Sequence, residues 1–400
     1  AHRGSRAPAP SSPPRSPQRG ARPVAQTEPK QLVKVSRRGG GWHYEVDEEA
    51  LGVLESYGQQ PLVVCTVCGP YRTGKSYLLN LLLGRIQHSS GQFRVGATTR
   101  ACTEGIWMWG VGSAGSNMLF LDCEGFGSTD SDRTRDAKLM SLCLLISSIF
   151  LLNTKGVLSE GLFNALSLVC RLAEHIEEHG QEASRPVLLW LLRDFVLDLR
   201  DTQDRPITSD QYLEQALRAQ PTGTDAERTQ AARDVRESLM KFFPRRHCTT
   251  LVQPVVDEDR LQRLASLPYE ELRSDFRGPF EAMQSQLLSL ARANPKRIAG
   301  QPLGGAALAA LLRSLVEALN SDHALNVHSA WDQVQHTACE ELSRELREAA
   351  SDEMRRVEAG EALPVPGGQP LPVRDDVLAH AMKERRRALR GEGEARLPVG

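Results

Sequence analysis

Apolar positions in this chain alternate between two spacings. Short unbroken runs occur at 62–67 (LVVCTV), 117–122 (NMLFLD), 148–153 (SIFLLN) and 185–195 (RPVLLWLLRDF). Between them lie longer segments with helical periodicity, KSYLLNLLLGR at 75–85 and EGLFNALSLVCRLAEHIEEHG at 160–180. Unbroken apolar runs of this length predict strands buried on both faces. Their alternation with helices predicts an α/β fold, a mainly parallel sheet between helices, over residues 33–299. The run at 139–153 (LMSLCLLISSIFLLN) reads as a helix end leading into a buried strand. It is shorter than the roughly 20 apolar residues of a membrane-spanning helix, so no transmembrane segment is expected.

After residue 299 the strand signal stops. Leu308, Leu311, Leu312, Leu315 and Leu319 share one helix face, and Val327, Trp331, Val334, Ala338, Leu342 and Leu346 form a second stripe. A Pro/Gly interruption near 363–372 precedes a further helical segment. Residues 300–400 are therefore expected to begin an all-α region that is incomplete here. Residues 1–32 are rich in Pro, Arg and Ser and predict a disordered basic tail, in preference to a transit peptide of similar composition.

Net charge is −1, which gives no reason to expect nucleic acid as a partner. Eight scattered cysteines form no secreted disulfide framework, so a reducing, cytoplasmic compartment is expected. Cys65 and Cys68 form a C-x-x-C inside a strand, where positions three apart point to opposite faces; core packing is the reading. His323, His328 and His336 lie near the second helical stripe and are read as helix surface and core rather than metal ligands.

The chemistry is concentrated at 69–76. Gly69-Pro70-Tyr71-Arg72-Thr73-Gly74-Lys75-Ser76, with Tyr77 behind it, satisfies G-x-x-x-x-G-K-[ST] between a predicted strand and a predicted helix. Backbone N–H groups of such a loop converge on phosphates, Lys75 adds a positive charge, and the Ser76 hydroxyl can ligate Mg²⁺. Asp122 ends the next apolar strand, where a carboxylate holding Mg²⁺ is expected, and Glu124 and Gly125 follow in a loop placed for the γ-phosphate. No N-K-x-D occurs. Arg193-Asp194 ends a buried strand, and an Asp carboxylate there could accept from guanine N1–H and N2–H₂. On residue chemistry alone the pair is as well read as a structural salt bridge.

Together these motifs resemble the guanylate-binding protein family of dynamin-related large GTPases, relatives of the atlastins. The matching residues are GPYRTGKSYLLN at 69–80, TTRACTEGIWMWG at 98–110, LDCEGFG at 121–127, LLRDF at 191–195 and FFPRRHC at 242–248. GGAALAALLRSLVEALNSDHALNVHSAW at 304–331 and LPVRDDVLAHAMKERRRAL at 371–389 look like the family's middle domain. The resemblance implies a Mg²⁺-dependent GTPase that dimerises through its GTPase domain, or assembles further, on GTP binding and couples this to a helical region. By the same likeness Arg72 is the internal arginine finger. Thr103 is the Mg²⁺-ligating switch threonine, with Thr98 and Thr99 as competitors. Asp122 and Glu124 are the metal and switch acids, and Asp194, with Arg193 beside it, is the guanine reader.

Ala101, followed by Cys102, stands where several relatives place a serine that orients the attacking water, so a nucleotide-gated assembly module with slow or no hydrolysis is a second reading. A third, an atlastin-like membrane tether, would need a hydrophobic hairpin, and an ATPase is the fourth. The chain ends in EARLPVG, with no C-a-a-X prenylation signal, and stops short of the family's helical stalk, as expected of a partial product. Association with endomembranes is left to partners or missing regions.

Overall fold

The computed structural model describes residues 28–87, 92–93, 95, 104–113, 116–126, 132–176, 185–219, 226–298 and 300–321, with single positions at 347, 350, 351 and 355. In chain order the elements are β1 (Lys30–Arg38), β2 (Gly41–Val46), α1 (Glu48–Glu55), β3 (Leu62–Cys68), α2 (Lys75–Gln87), β4 (Ile106–Ser113) and β5 (Ser116–Cys123). Then come α3 (Arg133–Ile146), β6 (Ile149–Lys155), α4 (Glu160–Ile176), β7 (Val187–Arg193), α5 (Ser209–Arg218), α6 (Ala226–Phe242) and β8 (Arg246–Leu251). Helices α7 (Glu258–Gln262), α8 (Ser274–Ala293) and α9 (Gly305–Asn320) follow.

These eight strands form one sheet in the order β2-β1-β4-β5-β3-β6-β7-β8, and Arg297–Ile298 pairs separately with Gln301–Pro302. Pairings from β5 through β3, β6 and β7 to β8 are parallel. The β2, β1, β4, β5 side is antiparallel. The fold is thus α/β with a mostly parallel sheet, as expected. The four apolar runs read as strands are β3, β5, β6 and β7, which lie at the centre. The sequence reading did not include β1, β2, β4 and β8. Strands β1, β2 and β8 mix polar with apolar residues because they lie toward the edges, as in RHCTTL of β8, whereas β4 (IWMWGVGS) is apolar and lies inside the sheet between β1 and β5.

Alternation along each strand sends side chains to two cores. Val64, Leu119, Leu121, Phe150, Leu152, Leu188 and Trp190 pack against helices α1, α3, α4, α5, α6 and α9. Val63, Val67, Phe120, Leu151, Leu189 and Leu191 pack against α2 and α8. Cys65 and Cys68 fall into opposite cores, as their spacing requires.

Helix α9 buries Leu308, Leu311, Leu312, Leu315 and Leu319, the face read from their spacing, and this stripe joins the core shared with α1 and α3. Its N-terminus lies so close to α1 that a Cβ on Gly305 would stand 1.8 Å from the Leu54 carbonyl oxygen. Its C-terminus is held by Asn320, whose side chain accepts from Tyr44 N at 2.8 Å and donates to Tyr44 O at 2.7 Å. Gly305→Ala is therefore expected to destabilise the fold by about 2–3 kcal/mol, read as a lower urea midpoint. An unchanged midpoint would contradict this docking.

The second helical stripe, its histidines and the basic tail up to residue 27 lie outside the described residues. Among those described, no helix is long and apolar enough to cross a membrane.

Candidate functional site

Strand β3 delivers the chain into a glycine loop that only certain residues can form. Gly69 has φ +155°, and a Cβ there would stand 2.0 Å from the backbone oxygen of Asn153. Gly74 has φ +79°, and Arg72, with φ 65°, also occupies left-handed space. Side chains rarely adopt that conformation outside functional loops.

The loop is braced from inside. Thr73 donates its hydroxyl to Pro70 O at 2.9 Å. The wholly buried Asn153, in the second half of β6, donates Nδ2 to Thr73 O at 2.8 Å. The loop is also zipped to the segment after β5: Pro70 bridges Phe126, and Tyr71 N donates to Phe126 O at 2.9 Å.

Lys75 opens α2, is buried, and donates Nζ to Pro70 O at 3.2 Å. Gly125 faces it directly, since a Cβ on Gly125 would lie 2.7 Å from Lys75 Nζ and 2.7 Å from Tyr71 Cα. Next to Lys75, the Ser76 hydroxyl donates to Oδ2 of buried Asp122 at 2.6 Å. A hydroxyl and a carboxylate meeting beside a phosphate-type loop are hard oxygen donors of the kind Mg²⁺ takes. These residues fit that ion.

Glu124 is anchored differently. Gly105 N donates to its Oε2 at 2.9 Å, and Glu124 N donates to Gly105 O at 2.9 Å. Arg135 of α3 forms a two-pronged ion pair with the same carboxylate, with Nη1 to Oε1 at 2.9 Å. Both side chains are about nine-tenths buried, with exposures of 10% and 9%. The guanidinium also stacks on Trp42, 4.8 Å from the ring centre. Arg135 was not among the residues singled out by sequence, because nothing in DRTRD marks one arginine to turn inward.

At the sheet's far rim, Asp194 leaves β7 with φ 55° and pairs with Lys155 at 3.2 Å. Arg193 turns inward: its Nη1 lies 3.7 Å from where a Gly74 Cβ would be, and its Cζ is 5.8 Å from the Phe276 ring centre. Among the described residues, Arg193 Nε and Nη1 find no hydrogen-bond partner, nor does the buried Tyr77 hydroxyl. Burial pushes the Arg193 pKa down, opposed by the charge of Asp194. It pushes the Tyr77 phenol up to about 12. Arg193 thus belongs underneath the glycine loop, and Asp194 to the rim.

Residues 42–296 match the family model for the guanylate-binding protein N-terminal domain. The chain belongs to the guanylate-binding protein family. It is 34% identical over 310 residues to guanylate-binding protein 5 of Mus musculus, covering 73% of this chain and 50% of that protein. It is 33% identical over 293 residues to guanylate-binding protein 2 of Homo sapiens, covering 69% of this chain and 48% of that one. The chain spans about half the length of the curated relatives it matches.

Within this family member the structure brings together Gly69, Pro70, Tyr71, Arg72, Thr73, Gly74, Lys75, Ser76, Asp122 and Gly125 around one loop. Arg72 is exposed on its outer side, with Cζ 5.2 Å from the Tyr71 ring centre. Thr103, its competitors Thr98 and Thr99, and the Ala101-Cys102 pair lie outside the described residues. Asn153 joins Arg135 as a residue that the sequence reading passed over. A polar residue closing an apolar strand was its one signal.

Proposed function

We propose that this chain binds GTP with Mg²⁺ and hydrolyses it, and that two copies dimerise through their GTPase domains to do so. The observation that supports this best is the Ser76–Asp122 contact at 2.6 Å beneath a glycine loop that also holds Lys75. Relatives named for guanylate binding supply the base. The loop N–H groups and Lys75 bind the β- and γ-phosphates, where the positive end of α2 adds to the attraction. Ser76 and Asp122, with Thr103 from the first switch, would hold Mg²⁺, which neutralises charge on the phosphates.

Arg72 is the cation for charge that develops on the transferring oxygens. It stands exposed until a second copy covers it, and its left-handed backbone fixes the direction in which it leaves the loop. The rim beside Asp194 carries exposed Val196 and Leu197, with Val256 beyond β8, apolar surface of the kind a second copy would cover. Glu124 links this chemistry to α3 through Arg135, so a direct catalytic part for Glu124 requires that ion pair to open. Helix α3 in turn reaches α9, where Lys138 Nζ donates to Leu319 O at 3.1 Å. That contact is a route from the nucleotide to the helical region.

Asp194→Asn tests the base. An amide cannot accept from both guanine N1–H and N2–H₂ as the carboxylate does, so GTP affinity is expected to fall about 100-fold, the size of a lost charged hydrogen bond. Weak ATP binding should be unchanged. Equal losses for both nucleotides would place Asp194 in a structural role and remove the argument for guanine.

A further inference from the structure

Six cysteines lie among the described residues, all buried and none in a disulfide. Cys65, Cys170 and Cys248 stand apart from one another in the cores, whereas Cys68, Cys123 and Cys143 converge. Their sulfurs all lie within 4.8 Å of one another. They come from three separate elements: Cys68 is the last residue of β3, Cys123 the last of β5, and Cys143 sits in the last turns of α3. Their exposures are 1%, 2% and 0%, so all three are shielded from bulk solvent. The C-x-x-C of the sequence is therefore not the pair that meets. Cys68 finds its sulfur neighbours across the sheet and beneath α3.

We propose that Cys68, Cys123 and Cys143 form a binding site for a monovalent soft metal ion, copper(I). Sulfur ligands select soft or borderline ions such as Cu(I), Zn²⁺ and iron–sulfur centres. Three sulfurs at about 2.3 Å from one ion, the usual metal–thiolate distance, stand roughly 4 Å apart, which the cluster reaches with little movement. A structural zinc site needs four ligands, and a three-ligand zinc site leaves a position for water. No fourth His, Cys, Asp or Glu joins the group among the described residues, and its sulfurs are shielded from solvent. Cu(I) is satisfied by three sulfurs alone. Lys75 and Arg135 bring positive charge to the Cys123 side of the cluster, which offsets the negative charge of a thiolate-bound centre. Cys68 precedes Gly69 and Cys123 lies between Asp122 and Glu124. A bound ion would therefore tie the root of the glycine loop to the segment that carries the magnesium acid.

The test is anaerobic titration of the reduced full chain with Cu(I) presented by a coloured competing chelator, with no nucleotide present. The expected result is withdrawal of one Cu(I) per chain, with an X-ray absorption spectrum showing three sulfurs at about 2.3 Å. Cys143→Ala, on α3 and away from the glycine loop, should weaken uptake by more than about 100-fold, beyond the loss caused by outer-shell changes. Cys248→Ala, and the double variant Cys102→Ala Cys339→Ala, should bind as the parent does. Cu(I) should also raise the unfolding temperature of the parent, since a ligand of the folded state stabilises it. It should leave that of Cys143→Ala unmoved, a comparison that holds even if the variant is less stable. No uptake by the parent, or undiminished uptake by Cys143→Ala, would overturn the proposal and leave three thiols in packing contact. Neither readout depends on GTP hydrolysis.

Discussion

Arg72→Ala is expected to lower GTP turnover by about 10³–10⁵-fold, the contribution of an arginine that meets developing phosphoryl charge, while GTP affinity stays within about tenfold. The asymmetry follows from position. In the proposed reading Lys75, Ser76 and the loop amides hold the ground state, and they remain in place because Thr73, Asn153 and the Phe126 bridge brace the loop from the other side. Arg72 lies outside that brace on the exposed flank, so its removal leaves the cradle standing. Because alanine tolerates φ 65° poorly, Arg72→Lys is the companion variant. It keeps a charged side chain but loses the planar fork that serves two oxygens at once, and it too should be strongly impaired. Single-turnover hydrolysis and equilibrium binding of a non-hydrolysable GTP analogue separate the two effects. Turnover equal to the parent in both variants would make Arg72 a surface charge and the protein a nucleotide-gated switch.

Glu124→Ala should cost about 3–5 kcal/mol of folding stability, the usual penalty when one partner of a buried ion pair is removed. Arg135 would be left without its carboxylate against Trp42, with Asp136 at 3.7 Å the remaining carboxylate partner among the described residues. Replacing both partners, Glu124→Met with Arg135→Met, should recover most of that loss, because no buried charge is then stranded. Urea unfolding of the single and double variants measures this directly. A loss below about 1 kcal/mol in the single variant would class the pair with exposed salt bridges and detach α3 from the segment that carries Asp122. The same variants bear on the route to α9, which runs from this ion pair along α3 to Lys138 and the Leu319 carbonyl.

The strands that sequence revealed are those buried on both faces, where almost every position is apolar: β3 and β7 are buried at all seven positions, with Thr66 and Arg193 their polar members. Strands toward the edges hid because their exposed faces accept any polar residue; KQLVKVSRR of β1, next to edge strand β2, buries only Leu32 and Val33. At the site, the glycine loop and Asp122 were legible because their chemistry demands fixed residue types at fixed spacing. Arg135 and Asn153 were not, since each acts through a tertiary contact that no local spacing marks: Asn153 with Thr73 and Arg135 with Glu124 and Trp42. Arg193 and Asp194 are neighbours in sequence and part company in space: one turns under the loop, and the other pairs with Lys155 at the rim. A pairwise salt bridge between them was a fair reading of the sequence and is not the arrangement found. The cysteine triad was equally hidden, because its members belong to three elements and only the fold brings them together.

Under the proposed function, GTP hydrolysis is assisted by a second copy of the chain. It is tested most directly by measuring turnover of GTP and of ATP by the unmodified protein with Mg²⁺ over a wide range of protein concentrations. Specific activity toward GTP that climbs with concentration to a plateau, with ATP turnover near background throughout, is the predicted result. GTP turnover that stays flat across that range, or ATP hydrolysed as fast as GTP, would contradict it.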